Sequence, residues 1–272
     1  MRRVVLGAYL ALAAGAAAGA DFDFVVDGES FTYTDAERSF GGVILQPVGD
    51  GPFPVIVFDH GQGGSPQSYP NLQAMRDWGA VVIAPVLSHV AGGETAPATT
   101  GQCPENLARG LAIFTAAASL PDVDFRRIAF FGHSKGAYAA IGQVAALGAQ
   151  VRVAAISAGG IVDDVFGIAQ AAPTVTEAAG VTAPFLMFHG NVDDAVPPAR
   201  SLAFLQQLQA AAVPAERVLY DVQALEPNLQ HNLHQDPAIN ADLLLRTQAW
   251  FTRWGLFGGD VVFADGFELA VP

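Results

Sequence analysis

The stretch Arg127-Ile-Ala-Phe-Phe-Gly-His-Ser-Lys-Gly136 decides the fold that this sequence predicts. Residues 127–131 are a short apolar run typical of a strand, and residues 137–147 have the pattern of a helix. A Gly-x-Ser-x-Gly pentapeptide between a strand and a helix is typical of a sharp turn that exposes the serine hydroxyl. The flanking glycines let neighbouring backbone pass close to that turn. Ser134 is therefore the candidate nucleophile.

A serine hydroxyl is a weak nucleophile at neutral pH, so it needs a general base and an acidic group that orients the base. Where the serine follows a strand in this way, the acid and then the histidine come later in the chain. Two aspartates, Asp193 and Asp194, follow the apolar run 183–190. Two histidines, His231 and His234, follow a further predicted strand. Open α/β sheets keep their chemistry at the carboxyl ends of strands, which is where these candidates lie.

Three stretches resemble segments of a known superfamily. They are residues 122–136 around the serine, residues 189–198 around the aspartates, and residues 54–64 with their His-Gly turn. The chain resembles α/β-hydrolases of the dienelactone-hydrolase-like, platelet-activating-factor-acetylhydrolase-like and polyester-hydrolase-like branches. This resemblance implies an α/β-hydrolase fold, with a mostly parallel central sheet of about eight strands, helices on both faces and little or no cap.

The resemblance also selects among the candidates. In such proteins the acid lies three residues after the glycine and four before the proline of its loop, which selects Asp193 over Asp194. The base is commonly followed five residues later by an acidic residue and then a proline, which favours His231. His234 is the second choice, because a proline lies three residues beyond it, as in polyester hydrolases.

Backbone N–H groups are the expected oxyanion donors. Attack on an ester carbonyl leaves negative charge on its oxygen, and N–H groups aimed at that oxygen lower the barrier. One donor is expected from Lys135, the residue after the nucleophile. The resemblance places the other at Gln62, in the glycine-rich turn 61–64 that follows a predicted strand.

Predicted strands recur along the chain with helices between most of them, which indicates a largely parallel sheet. Strands are expected at 31–34, 41–46, 54–59, 80–86, 127–132, 151–157, 183–189 and 217–224, and helices at 198–212 and from 236 to about 254. Residues 159–182 leave little room for a cap. The Gly/Ala/Thr/Pro-rich segment 87–104 follows a strand end and is expected to form either a wall of the substrate pocket or a surface insertion.

Residues 1–20 contain two arginines, an apolar run and the sequence Ala18-Gly-Ala20. This pattern predicts a secretory signal peptide cleaved near Ala20, and hence a secreted or periplasmic protein. A transmembrane anchor is the alternative, but the run is short and acidic residues follow it. The chain is thus divided into a signal peptide (1–20), an α/β-hydrolase domain (21–258) and a C-terminal tail (259–272) without an assigned role.

Composition narrows the choice of partners. The formal net charge of −13 argues against nucleic acid and against anionic membrane surfaces, and no stable membrane insertion is expected. The single cysteine, Cys103, cannot form an internal disulfide. Histidines are not spaced with cysteine or glutamate as in zinc sites, so neither a metal nor a cofactor is expected. The oligomeric state stays open.

These observations predict an exported serine hydrolase that cleaves carboxylic esters, of small molecules or of polymers, through an acyl-enzyme intermediate. A peptidase of the same fold is one alternative. A binding protein that keeps the fold without turnover is another, and a missing member of the Ser-His-Asp set would mark it. The sequence contains candidates for all three members but does not define the acyl chain or the alcohol.

Overall fold

The structure is a computed structural model that describes residues 22–90, 100–163 and 171–258. Within these ranges the strands are β1 (Asp23–Asp27), β2 (Ser30–Thr34), β3 (Ser39–Leu45), β4 (Phe53–Asp59), β5 (Val81–Pro85), β6 (Val123–His133), β7 (Val153–Ser157), β8 (Phe185–Gly190) and β9 (Ala215–Tyr220). They form one nine-stranded sheet in the order β1-β2-β3-β5-β4-β6-β7-β8-β9.

Helices connect most of the parallel strands. The α-helices of the described ranges are α1 (Asn71–Asp77), α2 (Pro104–Ala117), α3 (Lys135–Leu147), α4 (Ala199–Ala210), α5 (Pro227–His231) and α6 (Pro237–Arg253). The start of α6 follows from its sequence, since the Asp236 carboxylate accepts the N–H groups of Ala238 and Ile239 at 3.0 and 2.9 Å, and proline stands at the first helical position.

The sheet is antiparallel at one end and parallel over the rest. β1, β2, β3 and β5 pair antiparallel, whereas β5, β4, β6, β7, β8 and β9 pair parallel. The predicted α/β-hydrolase architecture with a mostly parallel sheet is confirmed. Parallel pairing brings the carboxyl ends of β4, β6 and β8 to one edge of the sheet, where α/β proteins place their binding sites.

Both faces of the sheet are buried, which explains the near-continuous apolar runs of the strands. Along β4, Val55 and Val57 pack on the face covered by α2, α3 and α4, whereas Ile56 and Phe58 pack on the face covered by α1 and α6. All four side chains are fully buried. Such burial stabilises by about 1.5–3 kcal/mol for each large aliphatic or aromatic side chain.

The structure shifts several strand boundaries, most of all those of β6 and β9, and adds one strand. β6 begins at Val123 and not at residue 127. β9 ends at Tyr220 and not at residue 224, because the side chain of Asn191 accepts the Val222 N–H and donates to Asp221, which turns the chain away from the sheet. β1 was not predicted. The Asp27-Gly28 pair between alternating apolar residues is a hairpin signal that could have revealed it.

Several predictions concern residues outside the described ranges. The predicted signal peptide, the tail and residues 91–99 of the segment 87–104 lie there. In the region 159–182, the described residues contain a bridge between Val162 and Thr174 and a 3-10 turn at Glu177–Gly180. None of the helices in the described part of the chain is long and apolar enough to cross a membrane.

Candidate active site

Ser134 lies in the turn between β6 and α3, as the sequence predicts. Its backbone is at φ 54° and ψ −120°, a region that non-glycine residues rarely adopt, and its N–H donates to the Ser157 carbonyl at 2.9 Å. A Cβ at Gly136 would collide with the carbonyl oxygen of Asp59 on β4. The glycine after the serine is therefore required for the close approach of β4, and the strained turn holds the hydroxyl at the carboxyl edge of the sheet.

The structure brings Ser134, His231 and Asp193 together, although they are far apart in the chain. His231 Nε2 lies 2.8 Å from Ser134 Oγ, and His231 Nδ1 lies 2.8 Å from Asp193 Oδ2. Because an ionised carboxylate only accepts hydrogen bonds, Nδ1 carries the proton and Nε2 is the acceptor for the serine hydroxyl. This is the tautomer that a general base for Ser134 requires.

Asp193 is held by the loop that contains it. Its Oδ1 accepts the N–H groups of Ala195 and Val196 at 3.0 and 2.9 Å, and His189 Nε2 lies 3.4 Å from its Oδ2. Burial alone would raise the pKa of this carboxyl, but the hydrogen bonds from His189, His231 and Val196 outweigh burial and lower it. Asp193 is therefore ionised at neutral pH, whereas Asp194 is exposed and not part of this network.

His189, near the end of β8, also supports the loop that carries Asp193. Its Nε2–H donates to the Val196 carbonyl at 2.8 Å and closes the loop that carries Asp193. No short motif in the sequence signals this contact, because the two residues meet only through the turn after the strand.

His231 is the last residue of α5, a five-residue helix, and its neighbours fix its position. The next residue, Asn232, accepts a hydrogen bond from His133 Nε2 at 3.0 Å. The ring of His133 lies 5.2 Å from the ring of His231, centroid to centroid. Burial and the charges of His234 and His231 lower the pKa of His133, which keeps it neutral. His133 is thus a hydrogen-bonding support for the segment that carries His231.

His234, the second choice for the base, is not within hydrogen-bond distance of Ser134 Oγ in the described structure, whereas His231 is. His234 lies in a 3-10 turn, Leu233–Gln235, and its ring packs against Tyr69 and His133 at centroid distances of 4.7 Å each. Burial lowers its pKa to about 4. The cause of the difference is Leu233, which is fully buried against α6 and turns the next side chain inward, behind the reacting groups.

The predicted oxyanion turn is tied down by hydrogen bonds within the protein. The Gly61 N–H donates to the Tyr69 hydroxyl at 2.8 Å, and the Gly63 N–H donates to the His89 carbonyl at 3.1 Å. Gln62 lies between them, and it and Lys135 line the same cavity as Ser134. The structure therefore places Gln62 and Lys135 on the same cavity as the nucleophile, and the N–H groups on either side of Gln62 donate elsewhere.

Two further histidines, His60 and His89, hold this turn in place through hydrogen bonds. His60 accepts the Leu87 N–H at Nε2 and donates from Nδ1 to the Gly61 carbonyl, both at 2.8 Å. Burial lowers its pKa to about 4, in keeping with a neutral ring that donates and accepts once. His89 Nε2 donates to the His60 carbonyl at 2.9 Å, and its Nδ1 accepts from Asn106 at 3.2 Å. No short sequence motif signals the role of His89, which depends on contacts with His60 and Asn106.

Asp59, at the end of β4, is a fully buried carboxyl that lies beside the side-chain amide of Gln143. Burial raises its pKa to about 8, and the nearby amide of Gln143 offsets only part of this effect. The carboxyl is therefore largely protonated at pH 7. Because the folded pKa lies above the unfolded value of 3.8, the native state binds this proton more tightly than the unfolded chain does.

Asp59→Asn is expected to stabilise the protein in a pH-dependent manner. The free energy of unfolding of the wild type should fall between about pH 4 and pH 8, by at most about 1.4 kcal/mol per pH unit, whereas the asparagine has no proton to lose. Thermal melts at pH 5 and pH 8 should show a larger gain in Tm at pH 8. The exposed Asp194→Asn is the control. A gain of equal size at both pH values would contradict the assignment.

The site opens into a cavity of about 560 Å³. Its walls include Gln62, Tyr69, Lys135, Tyr138 and Arg200, together with Ser134 and His231. Among the described residues, no group of three or more His, Cys, Asp or Glu side chains is arranged to hold a metal ion. The chemistry that the arrangement supports is nucleophilic attack by an activated serine on a bound carbonyl group.

The fold and the serine turn define the protein as a serine hydrolase of the α/β-hydrolase superfamily. The chain belongs to the chlorophyllase family, whose model matches residues 23–181. The model of the prolyl oligopeptidase family matches residues 164–256. A comparison with curated proteins found no match.

Solved structures with the same fold include esterases and peptidases. Esterase 2 of Thermogutta terrifontis, phosphonylated by cyclosarin, superposes with a TM-score of 0.67 at 16% identity, over 89% of this chain and 97% of that chain. The acylaminoacyl peptidase of Pyrococcus horikoshii gives 0.59 at 16% identity over 78% of this chain, which spans only 40% of the peptidase. Dipeptidyl peptidase 4 of Porphyromonas gingivalis gives 0.65 at 17% identity over 86% of this chain and 35% of that chain.

Proposed function

We propose that the protein hydrolyses carboxylic esters with a Ser134-His231-Asp193 triad. The observation that carries this proposal is the pair of 2.8 Å hydrogen bonds that connects the serine hydroxyl through one imidazole to a buried carboxylate. This connection gives the serine a base and gives the base its orientation. The predicted leader at residues 1–20 would place the activity outside the cytoplasm.

The reaction begins with attack of Ser134 Oγ on the ester carbonyl carbon, while His231 Nε2 takes the hydroxyl proton. Asp193 stabilises the imidazolium that forms, without itself taking a proton. The N–H groups of Gln62 and Lys135 stabilise the negative charge on the former carbonyl oxygen. Collapse of the tetrahedral intermediate breaks the bond to the alcohol, which leaves with the proton from Nε2. Water then attacks the acyl-serine by the same steps, with His231 as the base, and releases the acid.

Two observations support an ester substrate. The chain superposes on 97% of the length of Thermogutta terrifontis esterase 2, with a TM-score of 0.67. The cavity of about 560 Å³ also opens directly onto Ser134, which suits a small or extended ester.

A matched pair of substrates tests the proposal. 4-Nitrophenyl butyrate and N-butyryl-4-nitroanilide share the acyl group and the chromophore and differ only in the bond that is cleaved. We expect turnover of the ester and little or none of the anilide, together with stoichiometric labelling by a fluorophosphonate. Comparable rates on both substrates would favour a peptidase. Absence of both labelling and turnover would favour a binding protein.

Replacing each of the two adjacent aspartates with asparagine tests which of them is the acid of the triad. Asp193→Asn should lower kcat by about 10⁴-fold, because the amide stabilises the wrong imidazole tautomer. Asp194→Asn makes the same chemical change one residue later, at an exposed side chain outside the network, and should retain wild-type kcat. Steady-state rates on 4-nitrophenyl butyrate distinguish the two variants. An inactive Asp194 variant beside an active Asp193 variant would reverse the assignment.

A further inference from the structure

The cavity beside Ser134 is lined by positively charged side chains, although the chain as a whole is strongly acidic. The sequence has 26 acidic residues against 13 lysines and arginines, and Lys135 is its only lysine. That lysine and Arg200 both line the cavity. The described residues that line the cavity include no aspartate or glutamate. A strongly acidic protein thus places two cationic side chains next to its nucleophile.

Tyr138 organises these two cations around a single ring. Arg200 donates from Nη1 to the Tyr138 hydroxyl, and its guanidinium carbon lies 5.7 Å from the ring centroid. The ammonium nitrogen of Lys135 lies 5.8 Å from the same centroid. Tyr138 is 1% exposed, so the ring is a fixed support for both side chains.

The backbone of Arg200 is fixed as well. Its N–H donates to the Pro197 carbonyl at 2.9 Å, and its own carbonyl accepts the Ile161 N–H at 3.2 Å. Among the described residues no carboxylate forms an ion pair with its guanidinium. A guanidinium offers five N–H donors in a planar fork that matches a carboxylate. Only one of these donors is used by the tyrosine.

Two cations held close together in a half-buried site repel each other. Burial and the charge of Arg200 lower the pKa of Lys135. A bound negative group would relieve this repulsion and would be attracted by both side chains. The protein's overall negative charge repels such a group at long range, whereas the two cations attract it within the cavity.

We propose that Lys135 and Arg200 form a carboxylate-binding subsite, and that the preferred substrates are esters that carry a free carboxylate on their acyl or alcohol part. This inference rests on the proposed ester hydrolysis and narrows its substrate class. The carboxylate binds between the ammonium and the guanidinium while the scissile carbonyl lies at Ser134. The acid product of an acyl-side substrate is then a dicarboxylate.

Two matched ester pairs test the subsite and locate it. Mono-4-nitrophenyl adipate and 4-nitrophenyl hexanoate differ by an acyl-side carboxylate. 4-Carboxyphenyl hexanoate and its methyl ester differ by a carboxylate on the alcohol side. We expect kcat/KM to favour the anionic member of at least one pair by about tenfold or more, as charged hydrogen bonds allow. Spontaneous hydrolysis of each ester is subtracted with the Ser134→Ala protein.

Substitutions at Lys135 and Arg200 test whether these two side chains cause the preference for anionic esters. Arg200→Gln and Lys135→Gln should each reduce the anionic-to-neutral ratio of kcat/KM about tenfold, and Arg200→Lys should restore part of it. Arg126→Gln removes the same charge from an exposed position and should keep the wild-type ratio. Titration of each variant with a fluorophosphonate verifies that the site is intact.

Adipate gives a readout that does not depend on which ester is cleaved. It should competitively inhibit hydrolysis of 4-nitrophenyl butyrate by the wild type more strongly than by Arg200→Gln. If neutral esters are hydrolysed but neither pair shows an anionic preference, the subsite is wrong and the ester hydrolase stands. If the preference persists in both cation variants, the subsite is also wrong. If no ester of either charge is hydrolysed by protein that still reacts with the fluorophosphonate, the proposed function itself fails.

Discussion

Replacing Ser134 with alanine is expected to lower kcat for ester hydrolysis by about 10⁶-fold, since the members of a Ser-His-Asp set act as a unit. Labelling by a fluorophosphonate should disappear as well, because the phosphorus atom needs the serine oxygen. The fold should persist, since the side chain is small and alanine accepts the same backbone geometry that serine already adopts. Circular dichroism and a thermal melt verify this.

Ser119→Ala is the matched control. Ser119 lies beyond the end of α2 and donates to the Ala116 carbonyl at 2.7 Å, away from the cavity. That variant should be labelled at the wild-type rate. Persistent labelling of the Ser134 variant would identify another residue as the nucleophile and would overturn the proposed mechanism.

His231→Ala should be nearly as inactive as the serine variant, because it removes the only imidazole within hydrogen-bond distance of Ser134 Oγ in the described structure. His234→Ala should behave differently. Its ring packs against Tyr69 and His133 and does not contact the serine, so the expected loss is in stability. A partly buried ring of this kind contributes about 1–2 kcal/mol.

The two histidine variants are compared by kcat/KM on 4-nitrophenyl butyrate and by Tm. We expect His231→Ala to melt near the wild type with almost no turnover, and His234→Ala to melt at a lower temperature with most of its kcat. An inactive His234 variant with unchanged Tm, beside an active His231 variant, would assign the base to His234. It would leave the serine nucleophile untouched.

Local patterns predicted much of this fold because strand, turn and helix signals agree around the serine. The apolar runs of β4, β6 and β8 are buried on both faces, so each is visible as a continuous stretch. The strained turn needs glycine two residues before and two residues after the serine, and this requirement appears as a fixed pentapeptide. Asp193 follows β8 directly, so a correct strand also locates the acid.

Other features depend on contacts that sequence spacing does not encode. The inward position of His234 follows from the burial of Leu233 against a helix that comes later in the chain. The cationic side of the cavity joins Lys135 to Arg200 through Tyr138, although 65 positions separate the two cations. The sequence shows that Lys135 is the only lysine, but it does not show that Arg200 lies on the same cavity. The protonation of Asp59 depends on complete burial, which an aspartate at the end of an exposed strand would not have.

The positive φ of Ser134 also affects the stability of the protein. A non-glycine residue in such a conformation costs about 1–3 kcal/mol, which is a sizeable fraction of the stability of a typical domain. Glycine would relieve that cost, but it would also remove the hydroxyl. A substitution at Ser134 therefore cannot raise thermal stability without loss of activity. Any stabilising substitution that preserves activity must lie elsewhere in the chain. Activity and stability are opposed at this one residue by its backbone geometry alone.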